Sequence, residues 1–428
     1  MKVILIEPRS TEANIYSRLP MPLLGPIYLG TILKKRAHEV EIYKEDIFTP
    51  NYAKLKADLI GISILTSTAR RGYEIAGKFP REKVIIGGIH ASLVPEEAAK
   101  FCRQVIIGEA ENCIADVVEG RITKQFVRGE AVEDLDTLPY PDFSLLKGFK
   151  VPSAVIPVST SRGCPFDCSF CSVTKIFGRK YRFRSAQNVT QELESRKAHT
   201  LFFCDDNFTA HPKRTYALLN FMLKAKAKNW ACQVRCDAAK DDELLGLMAK
   251  AGCKVVCVGF ESVNAASLKD YDKMQTVEEI AGAVAAFRKR KIKIHGMFVL
   301  GGDSDNRKTV WDTIRFARKH KIDTLQMSVL TPFPGTKVYK DLESQGRIFS
   351  KDWRLYDGQH VVFQPKLLSA RELQLEVLKA YSKFYSLSRS LVFFLKLRMR
   401  NAFFNLMGYS IIKCWKKANR KMAWLPTR

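Results

Sequence analysis

Three cysteines crowd one short stretch, Cys164-Pro165-Phe166-Asp167-Cys168-Ser169-Phe170-Cys171, introduced by Thr160-Ser161-Arg162-Gly163. This close spacing can put three thiolates on one tight loop. A 4Fe–4S cluster normally takes four protein thiolates, one per iron. Three on one loop, with no obvious fourth nearby, leave one iron open to another ligand. Zinc is one rival reading, and three unrelated buried cysteines are the other. Zinc ligands usually come as two separated Cys/His pairs. No His or second Cys-x-x-Cys follows here at a suitable distance.

Such a loop needs a scaffold, and the chain is long enough to supply one. At 428 residues it has room for two or three domains, and 46% hydrophobic content argues for a folded chain. The opening run Met1–Glu7 is too short for a secretory leader and carries Glu7 where apolar residues should continue. A cytoplasmic chain with reduced cysteines is therefore expected. Cys204, Cys232, Cys236, Cys253 and Cys257 sit among strand-like apolar residues and read as small core hydrophobes. Net charge is +26, which points to nucleic acid, an anionic membrane surface or acidic substrates. Its distribution is uneven: the 52 residues after Glu376 carry 12 Lys and Arg and no acid. No apolar segment is long enough to span a bilayer.

Residues 1–125 alternate short Val/Ile runs with helical stretches. The runs are Val3–Ile6, Val40–Tyr43, Leu59–Leu65, Val84–Ile86 and Val105–Ile107. Parallel strands buried on both faces have this composition. A doubly wound, flavodoxin-like α/β domain is predicted, with its ligand beyond the carboxyl ends of the strands. Residues 126–150 are acidic and Pro-rich and read as a linker. Over 151–345 the alternation resumes, with strands expected at Ala154–Val158, Thr200–Cys204, Trp230–Cys236, Val255–Phe260, Lys293–Leu300 and Thr324–Leu330. Six strands with intervening helices predict a partial β/α, TIM-like barrel whose chemistry sits at the carboxyl strand ends. Residues 346–428 form a basic, mostly helical carboxyl-terminal region. There Phe404, Met407, Ile411 and Trp415 fall on one helical face, with Asn405, Lys413, Lys416 and Arg420 opposite.

The cysteine loop, with its Arg-Gly lead-in and Phe170 before the last Cys, resembles that of radical S-adenosylmethionine (SAM) enzymes. In that family the open iron chelates SAM. Pro22–Leu29, Gly87-Gly88-Ile89-His90-Ala91-Ser92 and Gly108-Glu109-Ala110-Glu111 resemble the cobalamin-binding domain that precedes many such cores. The resemblance covers roughly residues 1 to 345. It implies Cys164, Cys168 and Cys171 as cluster ligands. Phe170, Asp205, Gln233, Arg235 and Glu261 are the implied SAM-binding positions. Ser63, Leu65, Gly87, Gly88, His90 and Glu109 are those implied for cobalamin. The Asp-x-His-x-x-Gly motif that supplies a cobalt ligand elsewhere is absent; the stretch reads Glu45-Asp46-Ile47-Phe48-Thr49-Pro50. Cobalt without a His ligand is the expectation.

The implied chemistry is reductive cleavage of SAM to a deoxyadenosyl radical, hydrogen abstraction from an unactivated carbon, and methyl transfer from methylcobalamin. The resemblance thus implies a C-methylase of a hydrophobic or lipid substrate, with flavodoxin or ferredoxin as electron donor. Alternatives are a C–C or C–H rearrangement or cyclisation without methyl transfer, or a tRNA-modifying enzyme. Radical methylthiotransferases carry a second, amino-terminal cysteine triad. Here the first 150 residues hold only Cys102 and Cys113, and nucleic acid is not the expected partner. The basic, Phe- and Trp-containing region after Glu376 suits the inner face of an anionic membrane. A helix covering the barrel is the competing reading.

Overall fold

The Val/Ile runs of the first 130 residues become strands packed on both faces. They are β1 (Lys2–Glu7), β2 (Glu39–Lys44), β3 (Leu59–Ser63), β4 (Val84–Gly87), β5 (Gln104–Gly108) and β6 (Phe126–Gly129). The computed structural model describes residues 1–12, 21–150, 155–196, 200–225 and 229–426. All neighbouring strands are parallel, in the order β2-β1-β3-β4-β5-β6. Val3, Ile4, Ile6, Ile86 and Val105 are fully buried, each contributing roughly 1.5–3 kcal/mol relative to exposure. Strand order reverses between β1 and β3. In doubly wound sheets the ligand crevice opens at that point, beyond the carboxyl ends.

The acidic 126–150 stretch is not an open linker. Its first residues form edge strand β6, and Leu135, Phe143 and Leu146 are buried. Asp134 and Asp142 cap short turns there. The Asp142 amide donates to Thr31 Oγ1 at 2.9 Å, and the Lys147 amide to the Ile42 carbonyl at 2.9 Å. The acids and prolines that read as a linker are turn residues of a segment packed on the sheet.

The chain divides into two compact units. One holds Met1–Glu12, Tyr16–Phe166 and Ser172–Asp206, the other Asp167–Cys171 and Asn207–Arg428. The first unit also contains β7 (Val155–Val158), the short antiparallel pair β8 (Ser161–Arg162) and β9 (Arg182–Phe183), and β10 (Thr200–Phe203), which pairs in parallel with β7. Ala154, expected to begin that strand, lies outside the described residues. The second unit contains β11 (Trp230–Val234), β12 (Cys253–Glu261), β13 (Lys293–Leu300) and β14 (Thr324–Val329), paired in parallel in that sequence. Helices between them start at side-chain caps. Thr276 and Glu279 form a capping box at Val277–Lys289, and Arg288 and Lys289 complement its carboxyl-terminal dipole.

The second unit ends in helices Ala370–Phe384, Leu387–Leu395 and Met399–Ala418. Asn405, expected among the polar residues facing outward, is buried. It accepts from Ser390 Oγ at 2.9 Å and the Ser386 amide at 3.2 Å, and donates to the Phe384 carbonyl at 3.3 Å. Its helix faces a polar seam of the preceding one, which helical periodicity alone does not reveal. Among the described residues no helix is long and apolar enough to cross a membrane.

Gly88 has φ +95°, and a Cβ there would stand 2.7 Å from the Ile64 carbonyl oxygen and 2.8 Å from its nitrogen. Gly120, at φ +76°, has open space instead. Gly88→Ala is expected to cost about 3 kcal/mol in urea unfolding, and Gly120→Ala about 1 kcal/mol. Equal costs would show that the β3–β4 contact is not what requires glycine.

Candidate active site

The cysteine loop leaves β8 through Gly163, whose φ is +86° and whose Cβ would lie 2.4 Å from the Lys180 carbonyl. Only glycine fits that turn. Cys164, Cys168 and Cys171 are all partly exposed, and none is in a disulfide. The Cys171 amide donates to the Cys168 carbonyl at 3.0 Å, which curls the Cys-x-x-Cys segment. Between them Ser169 is buried and pinned. Its amide donates to the Tyr271 carbonyl at 3.2 Å, its hydroxyl to the Asp270 carbonyl at 3.1 Å, and its carbonyl accepts from the Val338 amide at 3.1 Å. Phe170 meets the Tyr271 ring edge-on at 5.4 Å. Among the described residues no three His, Cys, Asp or Glu side chains already close on a metal position.

Beside this turn stands a charged cluster. Arg235, at the end of β11, places Nη1 3.9 Å from Cys168 Sγ. Glu261, at the end of β12, accepts from Lys273 Nζ at 2.6 Å, and both are buried. Burial alone would lower the Lys273 pKa, but the Glu261 charge beside it outweighs that and raises it, so the ammonium is retained. Glu261 has φ +60°, at the point where the β12–β13 register shifts. A Cβ on Gly259 would lie 2.5 Å from Glu261 Oε1 and 3.1 Å from Lys273 Nζ. Gly259 thus makes room for the ion pair. Gln233 alternates with the buried Cys232 and Val234, which leaves it partly exposed. The Gly301-Gly302 turn has an internal reason. A Cβ on Gly302 would strike the Tyr271 hydroxyl at 2.5 Å. That turn is held by the buried Asp305, which accepts from both glycine amides at 2.9 and 3.0 Å.

In the first unit Asp205 departs from its expected role. It is buried and its oxygens accept from the Thr160 amide at 2.7 Å, the Ser161 amide at 2.9 Å and the Thr160 hydroxyl. It fixes the lead-in of the cysteine loop instead of facing a ligand amine. Asp206 is the titrating neighbour. The surrounding protein and the Asp205 charge push its acid up to about 7, while the side chain keeps solvent-accessible surface.

Glu109 is likewise a structural anchor. It is buried between two arginines: Arg162 Nη1 donates to Oε2 at 2.6 Å, and Arg182 reaches both oxygens. Arg162 Nη2 also donates to Glu111 at 2.5 Å, and Arg182 Nη1 to the Val132 carbonyl at 2.6 Å. Burial works to raise the Glu109 pKa, but the Arg182 hydrogen bonds and the Arg162 charge hold it below the usual range. The residue two before Cys164 is thereby tied to the carboxyl end of β5.

The remaining residues expected for cobalamin divide. Ser63 pairs with Gly87 across β3 and β4, and the Ile64 amide donates to the Gly87 carbonyl at 2.9 Å. Ser63, Leu65, Gly87 and Gly88 are all partly exposed at these carboxyl ends. His90 is not beside them as polar lining. It is fully buried, with Nδ1 3.4 Å from Thr66 Oγ1 and Nε2 3.6 Å from Glu97. At the stretch aligned with the missing His motif, Glu45 pairs with Arg71 at 2.6 Å and accepts from Tyr52 at 2.7 Å.

The Radical SAM superfamily model matches residues 158–317. The bacteriochlorophyllide d C-12(1)-methyltransferase of Chlorobaculum tepidum is 30% identical over 344 residues, covering 77% of this chain and 75% of that protein. The chain belongs to the radical SAM superfamily. It is also similar to the anaerobic magnesium-protoporphyrin IX monomethyl ester cyclase of Rubrivivax gelatinosus, 27% identical over 90% of this chain and 77% of that one. The solved structure of the cobalamin-dependent SAM radical enzyme OxsB with aqua-cobalamin and SAM bound shares the fold. It has a TM-score of 0.69 at 14% identity, covering 99% of this chain and 75% of that one.

For a radical SAM protein, three partly exposed thiols on one pinned loop, with a guanidinium beside Cys168, fit an anionic iron–sulfur cluster. Ser63, Leu65, Gly87 and Gly88 fit a bulky ligand at the switch-point end of the sheet, with no His side chain offered from position 90. Sequence reasoning missed Lys273, a lysine in a polar Lys-Asp-Tyr-Asp-Lys loop that looks solvated. It also gave no role to Arg162, or to Arg182, which no local motif marks.

Glu109→Gln should cost roughly 3–5 kcal/mol, because the buried Arg182 loses its counter-charge and Arg162 keeps only Glu111. A carboxylate with a lowered folded pKa stabilises above its unfolded pKa and loses that contribution as pH falls. Wild type and variant should therefore converge in acid, and a gap in unfolding midpoint independent of pH would contradict the assignment. For Asp206→Asn the sign reverses. A carboxyl raised to about 7 costs stability as pH rises from about 4 to 7. The variant should gain on wild type across that window and then plateau.

Proposed function

We propose that the protein is a cobalamin-dependent radical SAM C-methylase acting on an unactivated carbon of a hydrophobic substrate. The observation that carries this reading is the Arg162–Glu109 pair. It fastens the lead-in of the cluster loop to the end of the sheet where Ser63, Leu65, Gly87 and Gly88 are exposed. Similarity to the Chlorobaculum methyltransferase supports methyl transfer as the outcome. When bound, the cluster, SAM and cobalamin supply one-electron reduction, a hydrogen-abstracting radical and a transferable methyl group.

The chain's own residues position and shield. Cys164, Cys168 and Cys171 would hold the cluster through their thiolates, and Ser169 fixes the turn between the last two. Arg235 places positive charge beside Cys168, and Gln233 lines the same strand end. Lys273 neutralises Glu261, so that one strained, buried carboxylate does not add charge near the thiolates. Phe170 and Tyr271 form an apolar wall behind the loop. A single-electron donor such as flavodoxin or ferredoxin is the partner. The excess of cations after Glu376 supports a lipid or other membrane-resident substrate, met at the cytoplasmic face of an anionic membrane, and not a nucleic acid. The cyclase relative, matched over 90% of this chain, supports ring formation as the second reading.

Anaerobic reconstitution with SAM and methylcobalamin, followed by mass analysis of lipids from producing cells, tests the proposal. A product heavier by one CH2, a methyl in place of a hydrogen, is expected, and a product that has lost hydrogen without gaining carbon would favour the cyclase reading. The Cys164→Ala, Cys168→Ala, Cys171→Ala variant should lose bound iron and all 5′-deoxyadenosine formation. Cob(II)alamin in the protein should show no imidazole-nitrogen splitting in its paramagnetic resonance spectrum. Such splitting would return His90 or another His to cobalt.

A further inference from the structure

We infer that the helical hairpin formed by Leu387–Leu395 and Met399–Ala418 is a membrane-docking device whose apolar tip enters the surface of an anionic bilayer. The inference rests on the peripheral-membrane reading above and names the element that does the docking.

The hairpin has a fastened base and an unpartnered tip. At the base, Asn405 is bonded to Ser386, Ser390 and Phe384. The Arg389 guanidinium lies 3.9 Å over the Phe384 ring. Gly408 lets the helix approach Tyr385, where a Cβ would come within 2.5 Å of the ring. Trp415 is buried beside His360, with ring centres 5.1 Å apart. These contacts satisfy the covering role, and they leave the other face over. Leu387, Leu391, Phe394 and Leu395 recur at spacings of four, three and one residues, which share one helical face, and all are exposed. Met399, Phe403 and Leu406 do the same on the second helix. Leu395 is 72% exposed, Leu397 87% and Phe403 63%. A face this apolar and this open marks an interaction surface.

Charge selects the occupant. Every residue from Phe394 to Arg400 is exposed, and in that run Phe394, Leu395, Leu397 and Met399 alternate with Lys396, Arg398 and Arg400. An apolar protein groove has no use for three cations at its centre. A bilayer surface does, since the side chains reach the acyl boundary while the cations stay with headgroup phosphates. Along the second helix the outward residues change from Met399, Phe403 and Leu406 to Ser410, Lys413 and Lys417. The apolar stretch from Met399 to Leu406 rises about 10 Å, comparable to the depth of roughly 5–10 Å reached by interfacial helices. No acid occurs anywhere after Glu376 to oppose an anionic surface.

The test is flotation of the full chain with vesicles of phosphatidylcholine containing phosphatidylglycerol, and with phosphatidylcholine alone. Wild type should float with the anionic vesicles, less with the neutral ones, and less again at high salt. Leu395→Ser, Leu397→Ser, Phe403→Ser combined should reduce flotation by on the order of tenfold or more. Lys396→Gln, Arg398→Gln, Arg400→Gln combined should remove the preference for anionic vesicles. All six positions are solvent-facing, so both variants should melt with the wild type. Absence of wild-type flotation, or equal flotation by the apolar variant, would overturn the inference. So would a wild-type dimer in solution that the apolar variant converts to monomer, since a second copy would then cover the face. The readout is binding and not turnover, so failure here leaves the methylase reading standing.

Discussion

The buried Glu109 carboxylate between Arg162 and Arg182 is the constraint on which the arrangement of the first unit depends. An unpaired charge at that depth is costly, and so is either arginine without its partner. The three residues come from the end of β5, the lead-in of the cysteine loop and strand β9. Glu109 takes its counter-charge from both arginines, whose other acceptors are Glu111 and backbone carbonyls. The lead-in of the cysteine loop is therefore held by charge pairing at the carboxyl end of β5 within the first unit. Asp205 works the same way from β10, holding the backbone of Thr160 and Ser161 in the conformation that aims the chain into Gly163.

The second unit uses a different device. There the Cys168–Cys171 turn is held mainly by neutral hydrogen bonds from Ser169, and charge is kept adjacent to it in balanced form. Glu261 occupies a left-handed backbone conformation that a non-glycine residue adopts at a cost. Lys273 compensates its charge, and Gly259 clears the volume in which the pair sits. Arg235 is then the cation nearest Cys168. A cluster held there would have the Arg235 guanidinium beside its Cys168 ligand, a hydrogen-bond donor that favours an anionic centre.

Much of this was legible in the sequence, for identifiable reasons. Buried parallel strands require near-continuous Val and Ile, so β1 to β5 stood out within a residue or two of their ends, and the apolar runs of β10 to β14, several of them alternating in burial, did so too. Helix caps such as Thr276 with Glu279 are local, so the start of Val277–Lys289 is marked in the sequence itself. The cysteine spacing is a property of the chain itself, so the resemblance to radical SAM enzymes was readable without any fold.

What only the tertiary structure decided is which polar residues face a site and which pay for burial elsewhere. Asp205, Glu109 and His90 carry the residue types of a binding site, yet each is turned inward to a partner far away in sequence. Lys273 looked solvated and is buried. Gly302 makes room for the Tyr271 ring, a need that no local pattern announces. The acidic segment after residue 125 looked like a linker and packs as an edge strand and turns. Asn405 sat on the polar side of its helix by periodicity and is the buried bond between two helices. Local patterns report the period of an element and the chemistry of its side chains, whereas partner choice across the chain is set by packing, which no local pattern contains.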